Sequence, residues 1–533
     1  MLPLNTFFRS LFLLGILPSI ILIYGLVPQR ARRWILLLSS YTVFGAFSGK
    51  LLFYLLFSTL SIHQFGLWLE NSQNKEKALL YNASKEDKRP IKEQIKREQY
   101  GIVLFAVMIH IGLLFILKYS AFMTVNINTL LSMFGFNFSF PIPRYLMPVG
   151  ISFYTLQAVS YIVDVYRKKI SADANLLRLA IFMSFFPQIL EGPICRYSET
   201  ANALWEAPKL KYENFLLGVQ RIVFGIFKKL VIADRLNLFI QNIFNDYSKY
   251  DGFTISVGVA LYTLQLYAEF SGTLDLVIGS GQIFGITLPE NFKRPFFSSS
   301  ISEFWQRWHI TLGTWFKDYI FYPLSMSGIF KRLTAKLRRK FGNHFGPLMV
   351  GSISLLCVWL SNGLWHGAAW HYIFFGMYHF TLILLGNIFA PYFIKLAAFG
   401  CIDRTSKVYR YFQIIRTTVL VCIGELFFRS NGLKAGLIML KKMFMDFNFD
   451  SIKNGTLFKI GMDFHDFIII FISVGILFLI GFLQEHGIAI RSNIMKRNIV
   501  IRFTIYYTVI IFIIIFGAYG INYVPVNPIY ANF

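Results

Sequence analysis

Charged side chains are scarce in this chain of 533 residues: Asp, Glu, Lys and Arg together make up 15% of it, against about 25% in a soluble globular domain. Hydrophobic residues amount to 55% and aromatic residues to 18%, and the mean hydropathy is +0.54. Apolar runs of membrane-spanning length recur, which predicts an all-α, polytopic integral membrane protein. Runs such as FIIIFISVGILFLIGF (467–482) lack the apolar–polar alternation of a membrane β-barrel strand.

Cysteine is also rare, and its spacing excludes two kinds of site. The four cysteines have neither CxxC nor metal-ligand spacing, which argues against a disulfide framework and against a zinc site; they are Cys195, Cys357, Cys401 and Cys422. The sequence contains no GxSxG motif, no P-loop and no GxGxxG after a strand. A serine-nucleophile hydrolase and a nucleotide-driven pump are therefore disfavoured.

Acidic residues are outnumbered by basic ones, 27 to 52, which gives a net charge of +25. In a soluble protein this excess would suggest nucleic acid. Here the basic clusters lie between apolar runs, as in QRARR (29–33), YRKK (166–169) and KRLTAKLRRK (331–340). The charge therefore indicates cytoplasmic loops and anionic lipid headgroups, with no nucleic-acid partner. Residues 71–99 are predicted to form a solvated amphipathic loop-helix.

The apolar runs predict about a dozen spans, some of them re-entrant, with 176–190 as a doubtful extra. The first run lacks a small-residue cleavage site and is interpreted as a retained span rather than a signal peptide. The predicted spans are 11–27, 34–47, 50–68, 101–118, 146–165, 214–233, 253–284, 347–360, 370–391, 412–428, 465–484 and 500–520.

Segment 265–325 combines membrane-like hydropathy with ionisable residues. It begins as an apolar span that carries Glu269 and Asp275, breaks at LPENFKRPF, and resumes as a helix rich in aromatic residues. That second part also contains Arg307, His309, Lys317 and Asp318. Ionisable groups and broken helices at membrane depth are tolerated where they face a cavity or a partner. The segment is therefore predicted to be re-entrant and to line a cavity.

An aromatic stripe follows the break at three- and four-residue spacing, which predicts a continuous helix from Trp305 to Tyr319. The stripe consists of Trp305, Trp308, Leu312, Trp315 and Tyr319. His309 lies beside it. A single histidine in such a stripe is ordinarily a hydrogen-bonded core residue, and the alternative is a functional imidazole.

Three histidines lie in SNGLWHGAAWHYIFFGMYH (361–379), a stretch without acid or lysine. Gly363 and Gly367 are predicted to interrupt the helix or to allow close backbone approach. In a continuous helix His371 and His379 would point about 140° and about 220° away from His366, so the three would not form one cluster. We expect one of them to be chemical, because a buried neutral imidazole can accept a proton from a hydroxyl.

These motifs together resemble the membrane-bound O-acyltransferase (MBOAT) family, in the bacterial branch that acts on alginate, peptidoglycan and teichoic acid. EFWQRWHITLGTWFKDYIFYPL (303–324) and GLWHGAAWHYIFFGMYH (363–379) carry the resemblance. Blocks in family order support it: PVGISFYTLQAVSYIVDVYR (148–167), FFPQILEGPICRY (185–197), GVQRIVFGIFKKLVIADRL (218–236), QLYAEFSGTLDLVIG (265–279) and GELFFRSNGLKAG (424–436). The resemblance implies a catalytic core over 101–450, between N-terminal helices (1–100) and C-terminal helices (451–533).

The resemblance also implies site residues around a central tunnel. The histidine of the WHG motif maps to His366, as general base, and the histidine that ends WxRWH maps to His309. Substrate-binding candidates in the tunnel are Trp305, Asp318, Asn362, Trp365 and Asp275. A family block expected near DFSGYSD stands here as EFSGTLD, with Asp275 retained, which points to a different acceptor or partner preference.

The leading hypothesis is transfer of a short acyl group, acetyl first, across the membrane for O-acylation of a cell-envelope or exported polysaccharide. The implied donor is an acetyl-CoA or acyl-carrier-protein thioester, with no permanently bound cofactor and no metal. The implied partner is an extracytoplasmic SGNH-type acetyltransferase or a small membrane acceptor protein, and the implied location is the cytoplasmic (inner) membrane. The alternatives are a lipid or protein acyltransferase of the same fold and a polysaccharide or lipid exporter without chemistry.

Overall fold

The computed structural model describes residues 11–189, 191–519 and 523–526. Within these ranges the regular secondary structure is helical, and an antiparallel bridge between Phe292 and Trp308 is isolated. The α-helices are α1 (Leu17–Leu26), α2 (Gln29–Ser48), α3 (Leu52–Asn82), α4 (Lys88–Met133), α5 (Ile151–Tyr166), α6 (Leu176–Ser184), α7 (Tyr197–Glu206), α8 (Tyr212–Ile226), α9 (Asp234–Asn245), α10 (Gly252–Ile283), α11 (Ile301–Arg307), α12 (Ile310–Phe316), α13 (Tyr322–Ser325), α14 (Gly328–His366), α15 (Trp370–Phe399), α16 (Lys407–Arg429), α17 (Leu433–Met445), α18 (Asp450–Lys453), α19 (Phe464–Glu485), α20 (Ile490–Met495) and α21 (Ile499–Phe516). The all-α prediction is confirmed.

Local sequence explains where several of these helices begin. A side-chain oxygen accepts a hydrogen bond from a backbone N–H in the first turn of α6, α11, α14, α16, α19 and α21. Such caps satisfy donors that have no partner inside the helix. The capping residues are Asn175, Ser300, Ser327, Ser406, Asp463 and Asn498.

Seven continuous helical stretches of the described ranges are long and apolar enough to cross a membrane by length and composition: Gln29–Asn82, Lys88–Met133, Gly328–His366, Trp370–Phe399, Lys407–Arg429, Phe464–Glu485 and Ile499–Phe516. The first of them joins α2, the 3₁₀ turn Gly49–Leu51 and α3. This confirms a polytopic membrane protein. Other predicted spans fall on helices outside this set, with 146–165 on α5, 214–233 on α8 and 253–284 on α10. Residues 190 and 520, which end two of the predicted segments, lie outside the described ranges.

The chain forms two compact units. Among the described residues, the first comprises 11–189, 191–219 and 277–289, and the second comprises 220–276, 290–519 and 523–526. The predicted boundaries near 100 and 450 stay a prediction. Stretch 71–99 belongs to the first unit as the end of α3, a turn and the start of α4, with most side chains exposed. Every residue of the candidate functional site described below belongs to the second unit.

The core of the second unit is rich in aromatic side chains. It combines residues of the π-helical segment Phe227–Ala233 with others from α9, α10, α11 and α16, and Phe375 of α15 belongs to it. Apolar burial on several helix faces at once is what membrane-embedded helices show when they pack on each other as well as on lipid.

The predicted continuous aromatic helix is wrong at Trp308 and His309, since α11 ends at Arg307 and α12 begins at Ile310. The break arises from pairing with the polar loop that follows α10. The Lys293 N–H donates to the Arg307 carbonyl at 2.9 Å, and the Ile310 N–H donates to the Asn291 carbonyl at 3.0 Å. These bonds occupy backbone groups that a helix would have used internally.

Candidate functional site

His309 is held by the amide of Asn291. The Asn291 side-chain oxygen accepts hydrogen bonds from the Thr311 N–H at 2.9 Å and from the Thr311 hydroxyl at 3.0 Å. The Nδ1 atom of His309 lies 3.2 Å from that same oxygen. An amide oxygen only accepts, so the neutral ring carries its proton on Nδ1 and its lone pair on Nε2. Asn291 thus sets the tautomer of His309.

The backbone of His309 has φ 46° and ψ 52°, in the left-handed region. A non-glycine residue adopts this conformation only where its surroundings compensate for the strain. Here Asn291 bonds to the His309 ring and to the Ile310 N–H after it, and Lys293 bonds to the Arg307 carbonyl before it. The Phe270 ring packs edge-on against the imidazole with centroids 4.9 Å apart. The side chain is 3% exposed.

His366 is the last residue of α14, and Gly367 after it is extended. The helix resumes as α15 at Trp370, which confirms the interruption predicted from the glycines. The short connection returns α15 alongside α14. A Cβ atom added at Gly363 would lie 2.5 Å from the Tyr372 carbonyl oxygen, so the predicted close backbone approach is also confirmed.

Trp365 lies between the two candidate catalytic histidines. Its ring centroid is 5.4 Å from that of His309 and 5.1 Å from that of His366, edge-to-face in both cases. The three side chains are 3–5% exposed. Residues that the sequence places 56 positions apart, at 309 and 365, therefore meet around one indole ring.

Two phenyl rings also pack against His366. Phe375 and Phe428 pack against its imidazole with centroid distances of 5.9 Å and 5.1 Å. Asn362 lies one turn earlier on the same face of α14 and is buried. Its Oδ1 atom has no hydrogen-bond partner among the described residues. A base in such a dry setting is shielded from bulk water.

The other two histidines of the stretch differ from each other. His371 is half-buried at the start of α15, whereas His379 is 0% exposed. The His379 ring lies 4.8 Å from Phe375, on which His366 also packs. His366 of α14 and His379 of α15 therefore contact the same phenyl ring from two different helices.

Asp275 belongs to a buried ion cluster. Its carboxylate pairs with Lys228 at 2.5 Å and with Arg221 at 2.9 Å, and Arg221 also pairs with Glu290 at 2.5 Å. Glu269, at the position where the family block differs, pairs with Lys229 at 2.6 Å. Both acidic groups of α10 thus neutralise lysines of the π-helical segment Phe227–Ala233.

Asp318 is half-buried in the π-helical segment Lys317–Phe321, directly after α12. The structure thus brings together four of the seven candidates, His309, Trp365, His366 and Asn362, through ring contacts or one helix face. Trp305 contacts Phe375, which also packs against His366. Asp275 and Asp318 belong to the same unit.

Sequence reasoning missed Asn291, Phe270 and Phe428. The asparagine stands in LPENFKRPF, where the sequence signalled only a break. An asparagine near a break is a common turn residue, so its spacing gave no hint of a partner 18 residues on. Phe428 lies in the block GELFFRS, and nothing in its local sequence distinguishes it from a packing residue.

In the part of the chain that the structure describes, no group of three or more His, Cys, Asp or Glu side chains is arranged to hold a metal ion. What the arrangement offers is an imidazole base, a second imidazole of fixed tautomer and an aromatic, water-poor enclosure. This combination suits proton abstraction from a hydroxyl and attack on an acyl carbon.

Comparison with known proteins places this chain among acyltransferases. The family model described as MBOAT, membrane-bound O-acyltransferase family, matches residues 154–415, which include both candidate histidines. The chain is 31% identical over 441 residues to a probable alginate O-acetylase AlgI of Pseudomonas syringae pv. tomato, covering 82% of this chain and 75% of that protein.

Two further relatives carry other names. A peptidoglycan O-acetyltransferase of Helicobacter pylori is 29% identical over 371 residues, which cover 64% of each chain. A teichoic acid D-alanyltransferase of Bacillus subtilis is 30% identical over 279 residues, 52% of this chain and 64% of that protein. With the site geometry and the identity to AlgI, these matches show that the chain is a membrane-embedded acyltransferase and belongs to the MBOAT, membrane-bound O-acyltransferase, family.

Proposed function

We propose that this protein transfers an acetyl group from a cytoplasmic thioester, acetyl-CoA or an acyl-carrier protein, for O-acetylation of a cell-envelope or exported polysaccharide. The observation that carries the proposal is the buried group in which Trp365 contacts both His309 and His366. Two imidazoles in one dry enclosure provide the base and the polar contact that acyl transfer needs. The cytoplasmic membrane is the proposed location, since it borders the thioester pool.

In the proposed reaction His366 accepts the proton of the incoming hydroxyl while the hydroxyl oxygen attacks the thioester carbonyl carbon. A C–O bond forms, and the carbonyl electrons move onto oxygen. When the carbonyl re-forms, the C–S bond breaks and the thiolate leaves, taking the proton from the His366 imidazolium. No oxidant, metal or further co-reactant is needed. His309 orients the acceptor or polarises the carbonyl.

The acceptor is proposed from the named relatives, which act on alginate and peptidoglycan with acetyl and on teichoic acid with D-alanine. We infer that an extracytoplasmic SGNH-type acetyltransferase or a small membrane acceptor protein completes transfer to the polysaccharide. A lipid or protein acceptor would use the same histidines and differ only in what reaches the site from the outer side.

The test measures O-acetyl content of the envelope and exported polysaccharide, as acetate released by mild base, in cells that lack the gene and carry a plasmid copy. Wild-type protein should restore acetate, and His366→Ala should not, at equal amounts of inserted protein. His371→Ala is the matched control, because His371 lies five residues later in the same stretch, at the start of α15. If His366→Ala restores acetate to the wild-type level, the proposal fails.

A second measurement on the same strains, the amount of polysaccharide outside the cell, distinguishes the acyltransferase from an exporter without chemistry. An exporter without chemistry would change the amount of polysaccharide outside the cell and leave its acetate per sugar unchanged. Our proposal predicts the reverse, with the amount unchanged and the acetate per sugar lost.

A further inference from the structure

A groove of about 360 Å³ lies in the first unit, between α1 and the start of α8. Apolar residues of both segments line it, among them Leu22, Leu26, Leu210 and Phe215, and Lys211 adds a cation to this lining. Leu22 and Leu26 are 63% and 77% exposed. The described residues therefore leave the groove open along α1.

Five cations stand in the two chain segments that flank the groove. One segment, VPQRARR (27–33), forms the turn from α1 into α2, and the other, APKLK (207–211), precedes α8. Two contacts hold these parts of the chain side by side. The Tyr24 hydroxyl donates to the Pro208 carbonyl at 2.6 Å, and the Arg33 guanidinium lies 4.6 Å from the Trp205 ring centroid. The five cations are Arg30, Arg32, Arg33, Lys209 and Lys211.

In the part of the chain that the structure describes, none of these five cations forms an ion pair with a carboxylate. Arg32 is only 8% exposed and lies over the Tyr24 ring, 5.6 Å from its centroid. The Nε atoms of Arg32 and Arg33 are buried and have no hydrogen-bond partner among the described residues. Because buried charges in proteins are ordinarily paired, this arrangement indicates an anionic ligand.

The groove and the cations together select the class of that ligand. A soluble anion such as free phosphate would leave the apolar groove uncovered, and a neutral lipid would leave the cations uncompensated. An anionic phospholipid supplies both an acyl chain and a phosphate. Basic pockets between transmembrane helices on the cytoplasmic side bind such head groups, and QRARR (29–33) is predicted to face the cytoplasm.

We propose that this groove binds one anionic phospholipid, with an acyl chain along Leu22 and Leu26 and the phosphate at Lys211 and Arg33. The site is built from residues of the first unit alone. It uses none of the candidate catalytic residues, so it does not depend on the proposed acyl transfer. Lipid of either charge covers the outer faces of a membrane protein, and what distinguishes this site is its selection of an anionic head group.

The experiment measures lipid binding to the purified, delipidated full-length protein in detergent by native mass spectrometry, which resolves each bound lipid. The two probes are dioleoyl phosphatidylglycerol, which is anionic, and dioleoyl phosphatidylcholine, which has the same chains and no net charge. A cation near an anionic head group contributes about fivefold in affinity. The first phosphatidylglycerol should therefore bind wild-type protein at least about tenfold more tightly than the first phosphatidylcholine.

The double variant Arg33→Gln/Lys211→Gln removes one cation from each segment. Its affinity for phosphatidylglycerol should fall about 10–30-fold, the effect of two cations, and its affinity for phosphatidylcholine should stay within about twofold. Lys85→Gln/Lys88→Gln is the matched control, because it removes the same charge from exposed positions at the turn between α3 and α4. This control should bind both lipids as wild-type protein does.

Leu22→Trp tests the groove independently, because it fills the apolar part and keeps every cation. Tight binding of phosphatidylglycerol should be lost, at least about tenfold in affinity. Ile23→Trp is its control, since Ile23 is the next residue on α1, is 47% exposed and lies outside the lining. Leu22 is exposed, so this variant also serves should the double variant not be recovered.

Three results would overturn the inference. Equal affinity of wild-type protein for the two lipids would mean that bulk lipid covers the groove. Displacement of phosphatidylglycerol by glycerol 1-phosphate, with unchanged phosphatidylglycerol binding in Leu22→Trp, would mean a site for free anions. A second copy of the chain or another protein that stays bound to the delipidated wild-type protein and is released by Leu22→Trp would mean a protein interface.

Discussion

At the scale of single residues, His366 is the group on which the proposed chemistry depends. It is buried among Trp365, Phe375 and Phe428. Replacing it with alanine should lower acyl transfer by about 10²–10⁴-fold, the usual effect of losing a general base, without loss of inserted protein. His371→Ala should keep most activity, and His379→Ala should fall between. The measurement is acetate per sugar, normalised to immunodetected protein. Equal and complete loss of activity in His366→Ala and His371→Ala at normal protein levels would contradict the assignment of His366 alone as the base.

Asn291 makes a second prediction at this scale. Asn291→Leu removes the oxygen that accepts hydrogen bonds from Thr311 and orients Nδ1 of His309. The His309 ring then has no fixed tautomer, and the backbone turn at His309 loses the bonds that support it. Transfer should fall about 10–100-fold, in the range that loss of a supporting partner of a functional group produces. Asn291→Asp, which keeps an acceptor oxygen at this position, should retain more activity than Asn291→Leu. Equal activity of the two variants would contradict a role for that oxygen.

The candidate residues divide according to what local sequence can show. The pattern alone marked the stretch 361–379, because three histidines in an acid-free apolar run are unusual, and the family resemblance then selected His366, Trp365 and Asn362. Asn291 and Phe428 were missed because their importance comes from partners brought near by folding. Asp275 was predicted to line the tunnel. Its ion pairs with Arg221 of α8 and Lys228 of the π-helical segment depend on helix packing, which hydropathy did not reveal.

At the scale of elements, the close contact of α14 and α15 holds the WHG segment in place. A Cβ atom at Gly376 would lie 2.4 Å from the Trp359 carbonyl oxygen, whereas one at Gly386 in the same helix would meet nothing within 4 Å. Gly376→Ala should therefore destabilise the fold by about 1–3 kcal/mol, as overpacking does. Gly386→Ala should be neutral or slightly stabilising. Thermal unfolding in detergent compares the two, and similar behaviour of both variants would argue against the contact.

The ion cluster makes the second prediction for elements. Asp275→Ala would leave Lys228 buried without its carboxylate, which should cost about 3–5 kcal/mol. Glu290→Ala is the matched control, because Glu290 pairs with the same Arg221 but its side chain is 55% exposed. It should cost about 0–1 kcal/mol. The fraction of monodisperse protein after extraction reports both. Comparable losses of monodisperse protein in the two variants would contradict the larger contribution to stability assigned to the buried pair of Asp275 and Lys228.

The helix break at Trp308 and His309 shows a limit of pattern reasoning for elements. Residues 301–316 contain aromatic and polar side chains at helical spacing and no proline, with Gly313 four residues after the break. Only pairing with residues 291–293 opens the helix there. By contrast, the interruption after His366 was predictable, because Gly363 and Gly367 flank it.

At the scale of the whole molecule, hydropathy and charge predicted an all-α membrane protein, and the helices confirm it. Seven helices in the described ranges satisfy length and composition by themselves, against about a dozen predicted spans. Two predicted spans, 34–47 and 50–68, fall in one of the seven, Gln29–Asn82. The rest of the difference arises where apolar runs are short or carry buried ion pairs, as α10 does with Glu269 and Asp275. Ion-pair partners on other helices offset the cost of charged residues inside the membrane. A hydropathy average along the sequence does not include those partners.

The central claim is that the protein, with one buried histidine as general base, transfers an acyl group from a thioester to an acceptor on the other side of the membrane. The most direct test reconstitutes the purified protein in vesicles loaded with the cell-envelope polysaccharide and soluble envelope proteins of the source cells, with ¹⁴C-acetyl-CoA added outside. We predict label on the enclosed polysaccharide and an equal amount of free CoA outside, both lost in His366→Ala. Label that stays on CoA, label released only as free acetate, or full transfer by His366→Ala would contradict the account.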